Sequence, residues 1–200
     1  KECYNMKGVY KLSLEAAIFI AAINGNTLSP NLSKSSNYKH WLTIEDWKRC
    51  YVCATKHGEI FSIDEVVEPE PPIHPNCRCW IEIMETIQAG TATTNGIDGA
   101  DWWIANMGEL PKYYASYEYA LSKGWRPRKW PSNFIPNQMI TNGEYKNKNG
   151  HLPSKPGRIW YEADINYISG KRNRQRIVYS NDGLIFVTYD HYQTFYEITN

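Results

Sequence analysis

Glu162, Arg172, Arg176 and His191 are the residues of this chain best suited to do chemistry together. Each falls near the end of an expected strand of one sheet, or in a turn beside it. A carboxylate takes a proton from a hydroxyl, and an imidazole returns one to a leaving oxygen. Two guanidiniums hold a phosphate as negative charge builds on it, because each planar fork binds two oxygens at once. These are the parts that cutting RNA through its own 2′-hydroxyl requires, without a metal. The same residue types also occur for ordinary reasons. A strand glutamate commonly faces solvent, turn arginines keep a surface soluble, and a histidine at a strand end is commonly structural. Spacing alone leaves both readings open.

The elements that must position these residues follow from pattern. From Arg158 on, short runs rich in β-branched and aromatic residues alternate with turn signals. The runs are RIWYEADI, RIVYS, LIFVTYD and YQTFYEI, and the turns are SGKRN, SNDG and the neighbourhood of His191. Upstream, residues 98–108 and 114–123 read as two helices, the first ending before Leu110-Pro111 and the second at Gly124. Helices first and antiparallel strands after define the α+β class, with the helices packed on an antiparallel sheet.

The first half reads differently. Residues 12–24 form an expected short helix, with Ser13 as its cap and Gly25 as its stop. Residues 26–37 are loop-like, residues 43–53 suit a helix or a turn around a metal knuckle, and VVEPEPPIHPNC is extended and irregular. The expectation is a small, mainly helical or irregular, cysteine-containing module over 1–88. The uncharged AGTATTNG string then serves as a linker over 89–97, followed by a second domain over 98–200.

All five cysteines, Cys3, Cys50, Cys53, Cys77 and Cys79, lie in the first half. Cys50-x2-Cys53 and Cys77-x-Cys79 give two tight thiol pairs joined by a long loop, a way to build a tetrahedral zinc site. His57 and His74 are additional candidate ligands; disulfides or free thiols are the alternatives. The cysteine-free second half needs no oxidising environment to fold. Its charge is +3 against −2 for residues 1–97, which suits an anionic partner. Fifteen Tyr and eight Trp point to binding surfaces as well as core. No apolar run approaches the ~20 residues that cross a bilayer.

Residues 157–199, GRIWYEADINYISGKRNRQRIVYSNDGLIFVTYDHYQTFYEIT, closely resemble the C-terminal sheet of the barnase-like, guanyl-preferring bacterial ribonucleases. EADINY, SG, RN, RI, YS, LI and DHYQTF fall in order and at the family's spacing. DGADWWIANMGELP (98–111), Gly124-Trp125 and NKNGHLPSKPGR (147–158) resemble its first helix, the end of its second and the loop into its sheet. The resemblance covers about half the chain. It implies Glu162 as general base, His191 as general acid, and Arg172 and Arg176 at the scissile phosphate. It implies Tyr192 beside the bound nucleotide and Asn147, Lys148 and Asn149 in the base-reading loop. Asp164 then braces the arginines, and Arg158 and Asp182 form a structural ion pair. The implied reaction is transesterification to a 2′,3′-cyclic phosphate followed by slower hydrolysis, with no cofactor.

Two positions depart from the family. Tyr117 stands where a helix lysine stabilises the transition state; its hydroxyl donates a hydrogen bond but brings no charge. Asn149 stands where a glutamate pairs with guanine, which loses a charge-assisted bond and puts guanine preference in doubt. In the first half, RCYVC and IHPNCRCW resemble the cysteine-bearing tail of Mu F-like phage head-morphogenesis proteins, a segment that recurs upstream of toxin domains. The combination implies an interbacterial ribonuclease toxin. Such a toxin is secreted or delivered as the C-terminal part of a larger protein and acts in a target-cell cytoplasm. It works as a monomer and is neutralised by an acidic immunity protein. A stand-alone secreted ribonuclease and a phage-derived structural protein with a decayed nuclease fold are the competing expectations.

Overall fold

The computed structural model describes residues 35–44, 46–148 and 150–200. The helix expected over 12–24 lies outside the described residues. In chain order, the first half contains β1 (Ser35–Thr43), α1 (Tyr51–Lys56), β2 (Ile60–Ser62) and β3 (Cys79–Gln88). The second half contains α2 (Ala100–Met107), β4 (Tyr114–Ser116), α3 (Tyr117–Ser122) and β5 (Met139–Tyr145). The strands β6 (Trp160–Asp164), β7 (Arg176–Ser180), β8 (Ile185–Thr188) and β9 (Tyr196–Thr199) complete it. The described strands make one sheet in the order β2-β1-β3-β9-β8-β7-β6-β5-β4.

The centre of the sheet is antiparallel, as the alternating runs after Arg158 require. Ile177 and Val187 face one side, where they pack with Ala100 and Ile104 of α2. Val178 and Phe186, each one residue removed from these in its strand, face the other side with Trp160, Phe195, Leu152, Met84 and Ile60. Period-2 alternation puts neighbours on opposite faces. Both faces of β8 are therefore covered, and all four of its residues are buried.

Three elements differ from the sequence reading. Tyr114–Ser116, expected as the start of a helix, is a strand paired parallel to Met139–Thr141. Tertiary pairing wins there, and Ser116 instead caps α3 by accepting from Tyr119 N at 3.1 Å. The sheet is thus mixed, with a second parallel pair at β3–β9. Among its described residues the first half also carries three strands that the sequence reading lacked, beside one short helix and irregular chain. Its CWIEIMETIQ run supplies β3, which pairs antiparallel with β1 through Thr43↔Cys79 to Lys39↔Ile83. That run is rich in β-branched residues and carries an aromatic, a composition that suits a strand.

Residues 89–97, read above as a linker, are packed. Ala92 and Thr93 are buried, and the fully buried carboxylate of Asp101 gathers this turn. It accepts from Gly90 N at 2.7 Å, Ala92 N at 2.9 Å and Thr93 Oγ1 at 2.6 Å. Gly99 must be glycine here, because a Cβ would lie 1.9 Å from Thr93 Oγ1.

Candidate active site and cysteine cluster

Asp164 and Arg176 are cross-strand partners in β6 and β7. Asp164 is fully buried, and Arg176 nearly so. The Arg172 guanidinium donates to Asp164 from Nε and Nη2, both at 2.6 Å. Arg176 Nε stands 3.0 Å from the same carboxylate, as an ion pair whose N–H is not aimed as a hydrogen bond. Its Nη1 donates to Gln175 O at 2.6 Å and Asn173 O at 2.9 Å. One buried carboxylate therefore fixes two guanidiniums side by side.

Glu162 lies two residues before Asp164, on the same face of β6. Its Oε1 accepts from Asn142 Nδ2 at 2.6 Å, and its Oε2 accepts from Tyr192 Oη at 2.5 Å. Asn142 sits at a register shift between Thr141↔Ala163 and Gly143↔Glu162. Such a bulge re-aims a side chain, and here it turns Asn142 onto the carboxylate.

His191 and Tyr192 both have φ of 69°, a left-handed conformation rare for two consecutive non-glycine residues. Asp190 holds the turn: its Oδ1 accepts from Thr188 Oγ1, Gln193 N and Thr194 N at 2.9–3.1 Å. The His191 and Tyr192 rings are 4.8 Å apart. Burial and the positive charge of Arg176 and Arg174 lower the His191 pKa, against the opposing pull of Glu162. Burial and the bond to Glu162 raise that of Tyr192, which keeps its hydroxyl a donor.

A cavity of about 390 Å³ opens over Glu162 and Tyr192, with Asn147 and Lys148 in its lining. Asn147 (φ 42°) closes its own loop, donating from Nδ2 to Leu152 O at 2.8 Å and accepting from Leu152 N at 3.1 Å. Tyr145 stacks on Tyr192 at 5.2 Å. Asn149 lies outside the described residues. Tyr117 is not in that lining; it packs edge-on against Trp125 at 5.4 Å. Arg158 and Asp182 pair at 2.8 Å and do not line the Glu162 cavity. Asn142, Tyr145 and Asp190 were missed by sequence reasoning. A bulge partner, a stacked neighbour and a turn brace leave no signature at fixed spacing.

The cysteine cluster lies in the first half. Cys50, Cys53 and His74 form one group of close donor atoms, and Cys53, Cys77 and Cys79 another. His74 Nε2 is 3.2 Å from Cys50 Sγ and 3.0 Å from Cys53 Sγ. The Cys53 and Cys77 sulfurs are 3.8 Å apart, far beyond a disulfide's ~2.05 Å. His74 Nδ1 is 2.9 Å from Pro75 O, so it carries the proton and turns Nε2 toward the thiols. His57, the other candidate ligand, is in neither group; its Nδ1 accepts from Thr43 N at 3.1 Å.

Fold and site together define an α+β protein that gathers a carboxylate, an imidazole and an arginine pair on one sheet. Residues 84–199 match the model of the ribonuclease family, and residues 16–82 match that of the phage Mu protein F like family. A ribonuclease of Bacillus pumilus is 42% identical over 128 residues, 64% of this chain and 78% of that protein. Ribonucleases of Heyndrickxia coagulans and Bacillus intermedius are each 42% identical over 108 residues, 54% of this chain. Those matches cover 99% and 67% of the respective relatives. The chain belongs to the ribonuclease family and is by that membership an endoribonuclease.

Proposed function

We propose that residues 98–200 cleave RNA by metal-independent transesterification. Glu162 takes the 2′-hydroxyl proton, and the freed oxygen attacks phosphorus to form a 2′,3′-cyclic phosphate. The bond to the 5′-oxygen breaks, and His191 protonates that oxygen as it leaves. Water then opens the cyclic ester more slowly, with the two roles reversed. Arg172 and Arg176 hold the phosphate, and Tyr192, Asn147, Lys148 and Asn149 meet the nucleotide. Tyr117 offers at most a neutral hydroxyl. The observation that carries this reading is Tyr192, whose hydroxyl is bound to Glu162 and whose ring lies beside His191. It ties base and acid to one short segment, next to two arginines already fixed in place.

The test is cleavage of total RNA and tRNA by the full chain in EDTA, beside His191→Ala and Glu162→Gln. Each substitution is expected to lower the rate by about 10²–10⁴-fold, the usual worth of a general acid or base. Inactivity of the unsubstituted chain toward every RNA offered overturns the activity; full activity of His191→Ala overturns the mechanism.

The biological role we propose is an interbacterial toxin. The chain is delivered as the C-terminal part of a larger protein, acts as a monomer in a target cell's cytoplasm and is neutralised by an acidic immunity protein. A Mu F-like match directly upstream of the nuclease and the positive charge of residues 98–200 support this over a stand-alone secreted enzyme. The partnered Glu162, Asp164, Arg172 and Arg176 speak against a decayed nuclease.

We also propose a structural zinc in the first half, held by Cys50, Cys53 and Cys77 with His74 or Cys79 as the fourth ligand. Ligands about 2.0–2.3 Å from a tetrahedral zinc stand a little under 4 Å apart, and the Cys53–Cys77 separation fits that edge. The His74 tautomer presents Nε2, the nitrogen facing the thiols, as the metal-binding one.

A further inference from the structure

A second cavity, of about 420 Å³, adjoins the first and shares Tyr145 and Tyr192 with it. One wall consists of His151, His191 and Gln193 of the nuclease; the other consists of Arg49, Ala54 and His57 of the Mu F-like half. The stacked Tyr145 and Tyr192 rings stand between the two spaces.

The chemistry assigns a direction to each cavity. A base acts on the 2′-hydroxyl of the nucleotide before the scissile bond, so that nucleotide lies over Glu162. An acid acts on the departing 5′-oxygen, so the strand beyond the scissile bond continues past His191. The cavity past His191 is the one that Arg49 and His57 line. Its size falls within the ~300–1,000 Å³ of small-ligand sites, room for about one nucleotide. A guanidinium is the side chain best matched to a phosphodiester. His57 accepts from Thr43 N at Nδ1, which in the neutral ring leaves Nε2 as the donor nitrogen.

The wall is built in, not loosely tethered. The two family matches meet inside β3, the first ending at 82 and the second starting at 84. Within that strand, Cys79–Ile83 pairs with β1, and Thr86–Gln88 pairs with β9 of the nuclease. The turn after His57 is pressed onto both nuclease loops. Ile60 N donates to His151 O at 2.7 Å. Gly58 (φ 88°) sits in tight quarters: a Cβ would stand 3.1 Å from Gln193 O and from His151 Nδ1.

We infer that the Mu F-like half completes the nuclease cleft, with Arg49 and His57 forming a subsite for the RNA phosphodiester 3′ of the scissile bond. This rests on the base and acid assignment proposed above. It makes the first half a part of substrate recognition as well as a passenger for delivery.

The experiment uses the full chain and two ligand lengths: dinucleoside monophosphates, and the same dinucleotides extended by a 3′-phosphate and one nucleotide. The readout is the ratio of kcat/KM between long and short substrates. In parallel, binding is measured for the two lengths with 2′-deoxyribose at the cleaved nucleotide, which needs no turnover. Arg49→Ala is expected to reduce both ratios about tenfold, the scale of one charge-assisted contact. Arg49→Met, which keeps the aliphatic stem and its packing, is expected to do the same, and Arg49→Lys to recover part of the loss. Unchanged ratios in both Ala and Met variants overturn the subsite. A rise in the ratios overturns it too, because Arg49 would then obstruct the strand. A chain that cleaves nothing yet loses length-dependent binding with Arg49→Ala refutes the activity and keeps the subsite.

Discussion

The two polar clusters of this molecule contrast in how they are satisfied. In the nuclease, the central charges have protein partners in place: Asp164 holds Arg172 and Arg176, and Asn142 and Tyr192 hold Glu162. The cluster is preorganised, so little rearrangement is needed when charge develops on a phosphate. In the first half, four thiols and an imidazole crowd together with mainly one another for company. With the zinc proposed above among the donors, that arrangement would be completed by a cation, so one cluster would be finished by folding and the other by a ligand.

The sharpest way to break this contrast is at Asp164. Asp164→Asn keeps the shape and removes the charge, leaving nearly buried Arg176 uncompensated. Removing one partner from a buried ion pair costs about 3–5 kcal/mol, a large part of the ~5–15 kcal/mol that holds a domain together. Urea unfolding measures it; an unchanged midpoint means that the arginines were never anchored by charge.

Next comes the cysteine cluster. The chain purified with zinc present is expected to carry about one zinc, and Cys53→Ser to lose it. The melting midpoint is expected to fall by about 5 °C or more, as loss of one or more kcal/mol would give. Metal analysis and a thermal scan read both; a variant that retains its zinc removes Cys53 from the ligand set.

The smallest expected effect is at Arg174, an exposed residue that lowers the pKa of His191. His191 must be protonated to act as the acid, so the alkaline limb of kcat/KM in the free enzyme falls below the ordinary histidine value of 6.5. Arg174→Ala removes a repelling charge, raises that pKa and moves the limb upward. The shift should shrink in high salt. Movement downward would mean that Arg174 acts other than by its charge.

Legibility in the sequence followed locality. The strands after Arg158 were readable because period-2 runs and turn residues are local signals. Glu162, Arg172, Arg176 and His191 stand out as candidates because they sit in continuous strings around those strands. Tyr114–Ser116 was misread, since its partner Met139–Thr141 lies some 25 residues away in sequence and only pairing reveals it. Residues 89–97 looked like a linker by composition, yet their amides and a hydroxyl converge on Asp101. Small polar residues can be packed as readily as they can be loose, and composition does not separate the two.

By itself the sequence determined the α+β order, the central strands, the candidate acid, base and arginines, and the two thiol pairs. Each is written in neighbouring residues or a fixed repeat. Only the tertiary structure decided that Asn142 holds Glu162, that His74 rather than His57 faces the thiols, and that Arg49 and His57 border the cavity past His191. Those contacts join residues far apart in the chain. Their geometry follows from a bulge, a ring tautomer and a shared strand, which exist only once the sheet has closed around them.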